Sequence, residues 1–349
     1  MTDIAAEYRI MAAGAGWTDR SGRGRLRFEG RDRASFLQGL LTNDVVALGP
    51  RDGAYAALLT PQGRMIADFR LYNRGEAILA DVAPGLAAGL TDRFDALVFA
   101  EDVRVTDVSA ATAAIAVAGG RAADAIALAL EIDRKQVGAL KALAQMDAGP
   151  DRFVVRSDEA DVPIFDVWIA HADRDGLIAR LAGAGAAEVS DHLFDALRIE
   201  AGRPAFGVDM TTETIPLEAG IEGRAISMTK GCYVGQEVII RVLHRGGGRV
   251  AKRLVKLVLD HGPAGEPGRS GGSRSRRRVD QQAGHTCGAP AAGSRVQGFE
   301  HAFQGNLAVR GIGELADLIP VDRAGLEIEG EPAARTEVRR RVEPPVLEQ

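Results

Sequence analysis

The sequence predicts an α+β fold built on antiparallel sheets. Residues 54–82, AYAALLTPQGRMIADFRLYNRGEAILADV, read as strand, turn at Pro61–Gly63, strand, turn at Asn73–Gly75, strand. Runs of alternating apolar residues punctuated by such turns form a meander. Elsewhere, strands are separated by single helices, with several direct hairpins between them. That alternation fits antiparallel sheets with added helices better than a doubly wound parallel sheet.

The elements follow in order. GRLRF (24–28) alternates polar and apolar residues and predicts a strand. RDRASFLQGLLTNDV (31–45) places Phe36, Leu37, Leu40 and Leu41 at helical spacing, with Asp44 turning its end. After the meander, LVFAEDVRVTDV (97–108) predicts a strand pair. AATAAIAVAGG (110–120) predicts a buried strand, and the Ala-rich RAADAIALAL (121–130) a helix. RFVVRS (152–157) and PIFDVWIA (163–170) predict strands, with Trp168 in the core. DRDGLIARLAGAGAAEVS (173–190) predicts a helix ending in a Gly-rich loop. SDHLFDALRIEAGRPAFGVD (190–209) predicts a helix, closed by Glu200, and then a loop. VIIRVL, the turn HRGGG and RVAKRLVKLVL predict a further hairpin over 238–259. Gly246–Gly248 lacks the GK[ST] of a P-loop and is read as the turn of that hairpin rather than a phosphate nest.

After Asp260 the composition changes. Residues 261–301 are rich in Gly, Ser, Arg and Pro, show no period and cannot bury a core. Short apolar runs return in NLAVRGIGELADLIPV (306–321). The expected organisation is therefore residues 1–110, residues 111–260, and an atypical tail at 261–349 that is disordered or frameshifted. An out-of-frame reading of a GC-rich gene near residue 260 yields such a composition, and a divergent module on a linker is the alternative.

The chain has 349 residues, long enough for two or three domains, and 26% charged residues, as ordinary globular proteins do. A net charge of −5 argues against strong nucleic-acid binding. No apolar run reaches the roughly 18 residues that span a bilayer, and MTDIAAEYRI has no secretory pattern. The two cysteines, Cys232 and Cys287, make no disulfide framework and suggest a reducing, cytoplasmic setting. With six scattered histidines they supply no metal-ligand pattern, so no stably bound metal is expected.

Cys232 sits in MTKGCYVGQEVIIR (228–241). A thiolate is favoured by a nearby cation, and Lys230 is two residues away. Gly231 and Gly235 permit tight backbone turns, Tyr233 offers a ring and a hydroxyl, and Gln236 and Glu237 offer polar contacts. The residues allow a reactive thiol on a turn before a strand, or a small buried cysteine filling space.

LRIEAGRPAFGVDMTTETIPLEAG (197–220) followed by TKGCYVGQEVIIRVLHRGGGRVAKRL (229–254) resembles the YgfZ-type folate-binding proteins, relatives of the glycine cleavage T protein (aminomethyltransferase). The K-G-C-Y-x-G-Q-E element at Lys230–Glu237 is that family's signature. FLQGLLTNDV and LLTPQGRMIADFRLY match the wider superfamily, so the resemblance spans about residues 22–258. It implies an aminomethyltransferase-like folate-binding fold with a central cavity and, given the tail, an incomplete or absent C-terminal β-barrel. It implies tetrahydrofolate or a derivative as cofactor. Glu200 matches the position whose carboxylate binds the pterin, where it would accept paired N–H bonds; the alternative is a helix-terminal surface charge. Phe194 stands where a tryptophan lies near the folate, and serves stacking or the core. Aminomethyltransferases carry paired aspartates where this chain has Ala67-Asp68. Asp68 is then a cavity residue or a structural remnant, and the missing acid argues against methylene transfer. The resemblance thus implies an accessory factor for assembly or repair of iron–sulfur enzymes, including tRNA-modifying radical-SAM enzymes. Cys232 would be its functional thiol in transient contact with iron–sulfur proteins or cluster-assembly factors. The alternative is a folate-dependent aminomethyltransferase or methyltransferase, and a tRNA-binding module is weaker still.

Overall fold

The structure is a computed structural model and describes residues 3–245, 247–259, 296–303 and 306–310. All of them belong to one compact unit ending at Ile312. Its first part runs α1 (Ile4–Ala13), β1 (Gly16–Asp19), β2 (Gly24–Glu29), α2 (Arg33–Leu40), β3 (Gly53–Leu59), β4 (Met65–Asn73), β5 (Ala77–Val82), α3 (Ala87–Asp95) and β6 (Arg104–Asp107). Then come β7 (Thr112–Ala118), α4 (Ala122–Leu130), α5 (Arg134–Gly138), β8 (Gln145–Asp147), β9 (Phe153–Arg156), β10 (Ile164–Ala170), α6 (Arg174–Gly183) and β11 (Ala187–Glu188). The last part holds α7 (Asp191–Glu200), α8 (Pro216–Ala219), α9 (Glu222–Ala225), α10 (Gln236–His244), β12 (Leu254–Leu259), β13 (Val296–Phe303) and β14 (Asn306–Arg310).

Two sheets pack face to face. The first has the order β3-β4-β5-β2-β6 and is antiparallel throughout. The second has the order β11-β1-β7-β10-β9-β8 and is antiparallel except at the β1–β11 edge. The outer face of the first sheet, with Leu58, Ala67, Phe69 and Leu71, packs on Phe36 and Leu37 of α2 and Leu90 and Phe94 of α3. The outer face of the second, with Ile115, Val117 and Val167, packs on Ile126 of α4 and Leu177 and Leu181 of α6. Between the sheets lies a third core holding Tyr55, Leu59, Tyr72, Phe153 and Trp168. Trp168 meets Tyr72 edge-on at 5.5 Å and stacks on Phe153 at 5.3 Å, so aromatic contacts join the two layers. Arg25, fully buried, donates to the carbonyls of Ser21, Ser109 and Thr112 and to the Thr112 hydroxyl. Those acceptors satisfy a charge that would otherwise be costly to bury.

The antiparallel α+β reading holds, and the meander is β3–β4–β5. Two expectations are corrected. Residues 97–108 form one strand, β6, rather than a pair. The Glu101 carboxylate accepts from the backbone N–H groups of Phe99 and Ala100, and this local turn competes with strand pairing. Of the hairpin predicted over 238–259, the first strand is instead the helix α10, while the returning segment does form a strand, β12, which pairs with β13. The β-branched residues of α10 suggest a strand, but Ile239, Val242 and Leu243 recur at helical spacing and pack on the inter-sheet core. Glu237 and Arg241 add an i,i+4 ion pair on the outer side. The chain before β2, with α1 capped by Asp3 and β1 in the second sheet, has no counterpart in the sequence reading.

β12, β13 and β14 make a three-stranded antiparallel sheet, and no closed barrel is found among the described residues. β13 lies largely inside the stretch 261–301 whose composition suggests no elements, and β14 falls on the apolar run that begins at Asn306. The rest of residues 261–349, and the question of their reading frame, lie outside the described residues. No helix among the described residues is long and apolar enough to cross a membrane.

Candidate functional site

A cavity of about 490 Å³ opens beside the inter-sheet core. Six pieces of chain wall it: the β1–β2 loop with Arg20 and Arg23, β4 with Asp68 and Arg70, the β5–α3 loop with Pro84, the β9–β10 loop with Glu159, α7 with Phe194, and the following loop with Arg203 and Phe206. Its size is that of a pocket for a drug-sized molecule.

Strand phase decides what β4 sends into it. Leu58 pairs with Ala67 and Leu59 with Met65, so Ile66 is bulged out and the alternation shifts there. From Ala67 onward, Ala67, Phe69 and Leu71 face the helix-covered core, while Asp68 and Arg70 face the cavity. Ala67 is wholly buried among apolar side chains. The acid that this chain lacks relative to the paired-aspartate pattern therefore belongs to the core side of the strand, and the cavity carboxylate is present.

Most of the cavity's charges neutralise one another. Arg20 pairs with Glu159 and reaches Asp166 at 3.4 Å. Arg70 contacts Asp158 at 3.1 Å and Glu159 at 3.0 Å, and Arg224 also pairs with Asp158. Arg23 pairs with Asp81 at 2.8 Å, and Arg198 with Asp195 and with Asp209 at 2.6 Å. Burial pushes the Glu159 carboxyl up, but Arg20 and Arg70 outweigh it and hold it below the usual carboxylate range. Burial raises Asp166 to about 6, with Arg20 opposing and Glu159 adding to the rise.

Asp68 stands apart from these pairs. Its Oδ2 accepts from the Tyr55 hydroxyl at 2.8 Å, and it forms no ion pair among the described residues. Burial raises its pKa, and the field of Arg70 only partly offsets this. The cavity thus holds a buried carboxyl, hydrogen-bonded to Tyr55, whose protonated form is more favoured than usual. Phe194, 5% exposed, lies beneath the Arg20 guanidinium at 4.8 Å, so its ring is both core and cavity wall.

The structure does not bring the other sequence candidates to this cavity. Glu200 ends α7, half-buried, and is not among the lining residues. Burial raises its carboxyl, Lys256 opposes that, and its backbone carbonyl accepts from the Lys256 ammonium at 2.9 Å. The signature loop lies elsewhere too. Lys230 turns inward, away from any role beside a thiol, and its Nζ donates to the carbonyls of Gln38 and Leu41 at 2.5 Å and Asn43 at 3.1 Å. Burial pushes its ammonium down to about 8. Gly235 has φ +84°, and a Cβ there would lie 2.5 Å from the Thr60 carbonyl, so only glycine fits this approach to the β3–β4 turn. Tyr233 is buried beneath Lys230 at 5.2 Å. Gln236 and Glu237 form the first turn of α10, the helix that replaces the strand expected from Val238 onward. Gly231 is exposed, as is Cys232, a free cysteine.

Sequence reading missed Tyr55, Arg70, Glu159 and Arg203. Arg20 and Glu159 are 139 residues apart, and no local pattern announces such a pair. Arg203 carried one signal, its place directly after the Arg-Ile-Glu-Ala-Gly element.

Residues 1–230 match the family described as the GCVT N-terminal domain. A protein named aminomethyltransferase from Rubrobacter xylanophilus is 32% identical, the match covering 74% of this chain and 68% of that one. A protein of the same name from Bacillus subtilis (strain 168) is 31% identical over 74% of this chain and 72% of the relative. The crystal structure of the glycine cleavage system aminomethyltransferase T from Bartonella henselae superposes with a TM-score of 0.66 at 22% identity. That superposition covers 73% of this chain and 69% of that one and speaks for the fold.

Proposed function

We propose that this chain, which belongs to the GCVT N-terminal domain family, is a tetrahydrofolate-dependent transferase of the aminomethyltransferase type. One observation carries the reading: Asp68 is a buried cavity carboxyl with a raised pKa and no cationic partner of its own, while Ala67 faces the core. The missing member of the acidic pair, which argues against transfer when read from the sequence, costs the cavity nothing. The names of the relatives support the same choice.

The cavity residues suit tetrahydrofolate. Phe194 and Phe206 offer flat apolar walls for a pterin, Asp68 a hydrogen-bonding carboxyl, and Arg203 a cation. When bound, tetrahydrofolate supplies the nucleophilic nitrogen that accepts a one-carbon unit. Tyr55 occupies Oδ2 of Asp68 and leaves Oδ1 to hold or take a proton from an amine in the cavity. The Arg20–Glu159–Arg70 network fixes the walls around it, so the geometry is set before ligand arrives.

The test is formation of methylenetetrahydrofolate from an aminomethyl donor and tetrahydrofolate by the full-length protein, read with methylenetetrahydrofolate dehydrogenase and NADP. Product above the protein-free rate is expected. Tetrahydrofolate binding without any product would refute transfer.

A second reading keeps the YgfZ-type role, as an accessory to iron–sulfur enzymes through transient contacts. One observation favours it: Lys230, Tyr233 and Gly235 are taken up by packing, whereas Cys232 presents its thiol to solvent. Complementation of a strain deficient in such an accessory tests it, and a Cys232→Ala variant that works as well as wild type would sink the thiol role.

A further inference from the structure

We propose that Arg203 is the anion anchor of the cavity and takes the carboxylate of the molecule bound there. This rests on the folate-dependent reading above for what occupies the cavity, but it comes from a different observation.

Five arginines line the cavity: Arg20, Arg23, Arg70, Arg198 and Arg203. The first four each lie within ion-pair distance of a carboxylate. Arg203 has no ion pair and no side-chain hydrogen bond among the described residues, and its Nε is buried without a partner. A buried donor left unsatisfied is destabilising, and native structures carry few of them. Its charged neighbours are not ion-pair partners. Arg224 is a cation, Asp158 is already shared by Arg70 and Arg224, and Asp161 acts on it only through its field, without an ion pair among the described residues. Burial chiefly, with Arg224 adding to it, lowers the pKa of its guanidinium, against the opposing fields of Asp158 and Asp161.

Its root is fixed. The Arg203 backbone N–H donates to the Arg198 carbonyl at 2.8 Å, and its own carbonyl accepts from Arg198 Nη1 at 3.1 Å. Pro204 follows and restricts the backbone before it. The backbone that carries the half-buried guanidinium is thus fixed on the wall of a cavity whose other arginines are neutralised, and a planar carboxylate matches its fork of donors. Two sources can present that carboxylate: the glutamyl tail of tetrahydrofolate, or an amine substrate that is itself an amino acid.

Calorimetry on full-length wild type, Arg203→Met and Arg203→Lys separates these, with thermal melts to confirm that each variant folds. The probes are tetrahydrofolate, 6-methyltetrahydropterin (no glutamyl tail), p-aminobenzoylglutamate (no pterin) and N-methylglycine. If Arg203 holds the tail, Arg203→Met weakens tetrahydrofolate and p-aminobenzoylglutamate by about 10- to 100-fold and leaves the pterin unchanged. The Lys variant then falls between. If it holds the amine substrate, only N-methylglycine loses affinity. Folded Arg203→Met that binds all four probes as wild type does overturns the proposal, as does a wild type that binds neither carboxylate fragment. Wild type that binds p-aminobenzoylglutamate or N-methylglycine through Arg203, but neither pterin nor tetrahydrofolate, keeps the anchor and defeats the folate reading.

Discussion

Restoring the missing acid with Ala67→Asp tests the assignment of faces on β4. Ala67 is wholly buried, pairs with Leu58, and belongs to an apolar cluster with Phe36, Leu37, Phe69 and Phe94. A carboxyl placed there finds no cation in that cluster. Burial of this kind raises a carboxyl pKa by up to 3–5 units, and about 3 units corresponds to about 4 kcal/mol of stability near pH 7. Overpacking by the larger side chain adds about 1 kcal/mol. A total near 5 kcal/mol lowers the melting temperature by roughly 10–20 °C for a domain of this size. The pH dependence follows from linkage. The introduced group has a folded pKa above its unfolded value, so the unfolded chain releases the proton first. The ionic part of the penalty is full above the folded pKa and vanishes as pH falls below the unfolded value of about 3.9. Thermal melts followed by circular dichroism at about pH 7 and about pH 4.5, with wild type alongside, measure the gap. It should be large at the higher pH and clearly smaller at the lower. A variant melting within about 3 °C of wild type near pH 7 would mean that position 67 reaches the cavity or solvent, and the assignment of β4 would be wrong.

Lys230→Met strands three backbone carbonyls and should cost about 2–4 kcal/mol in denaturant unfolding, whereas Cys232→Ser, two residues away on the surface, should stay within about 0.5 kcal/mol. Equal losses would mean that Lys230 does not hold the loop. Gly235→Ala forces a Cβ against the Thr60 carbonyl at positive φ and should lose at least about 1–2 kcal/mol by the same measurement. Asp166 has a folded pKa raised from 3.8 to about 6, so its ionisation weakens the fold as pH rises through that window. Asp166→Asn should therefore gain stability relative to wild type above about pH 6 and lose that gain below about pH 4, and a pH-independent difference would refute the assigned shift.

Parts of this were legible because they are local. The turns at Pro61–Gly63 and Asn73–Gly75 and the alternation between them give the meander directly. α10 was not legible from residue preference, since Val238, Ile239 and Ile240 favour strands; the helical spacing of Ile239, Val242 and Leu243 outweighs that preference because it buries one face. Asp68 stood out in the sequence, but its direction did not. The bulge at Ile66 shifts the phase of β4, and only the pairing register reveals it. Lys230 shows the opposite failure. Its nearness to Cys232 in sequence suggests an activated thiol, whereas its ammonium is drawn to carbonyls about 190 residues away in the chain, at the end of α2. The charge network and the unpaired Arg203 arise from long-range packing, which no short motif encodes.

In the function proposed above, Asp68 carries proton-handling chemistry in a tetrahydrofolate cavity. Asp68→Asn keeps the shape and the bond from Tyr55 while removing the ionisable carboxyl. The decisive measurement compares wild type and this variant for tetrahydrofolate affinity by calorimetry and for methylenetetrahydrofolate formation from an aminomethyl donor. Affinity should stay within about threefold while the rate falls by about 10²–10⁴-fold, the range expected for loss of a general acid–base group. An Asn variant that turns over at the wild-type rate would contradict this role.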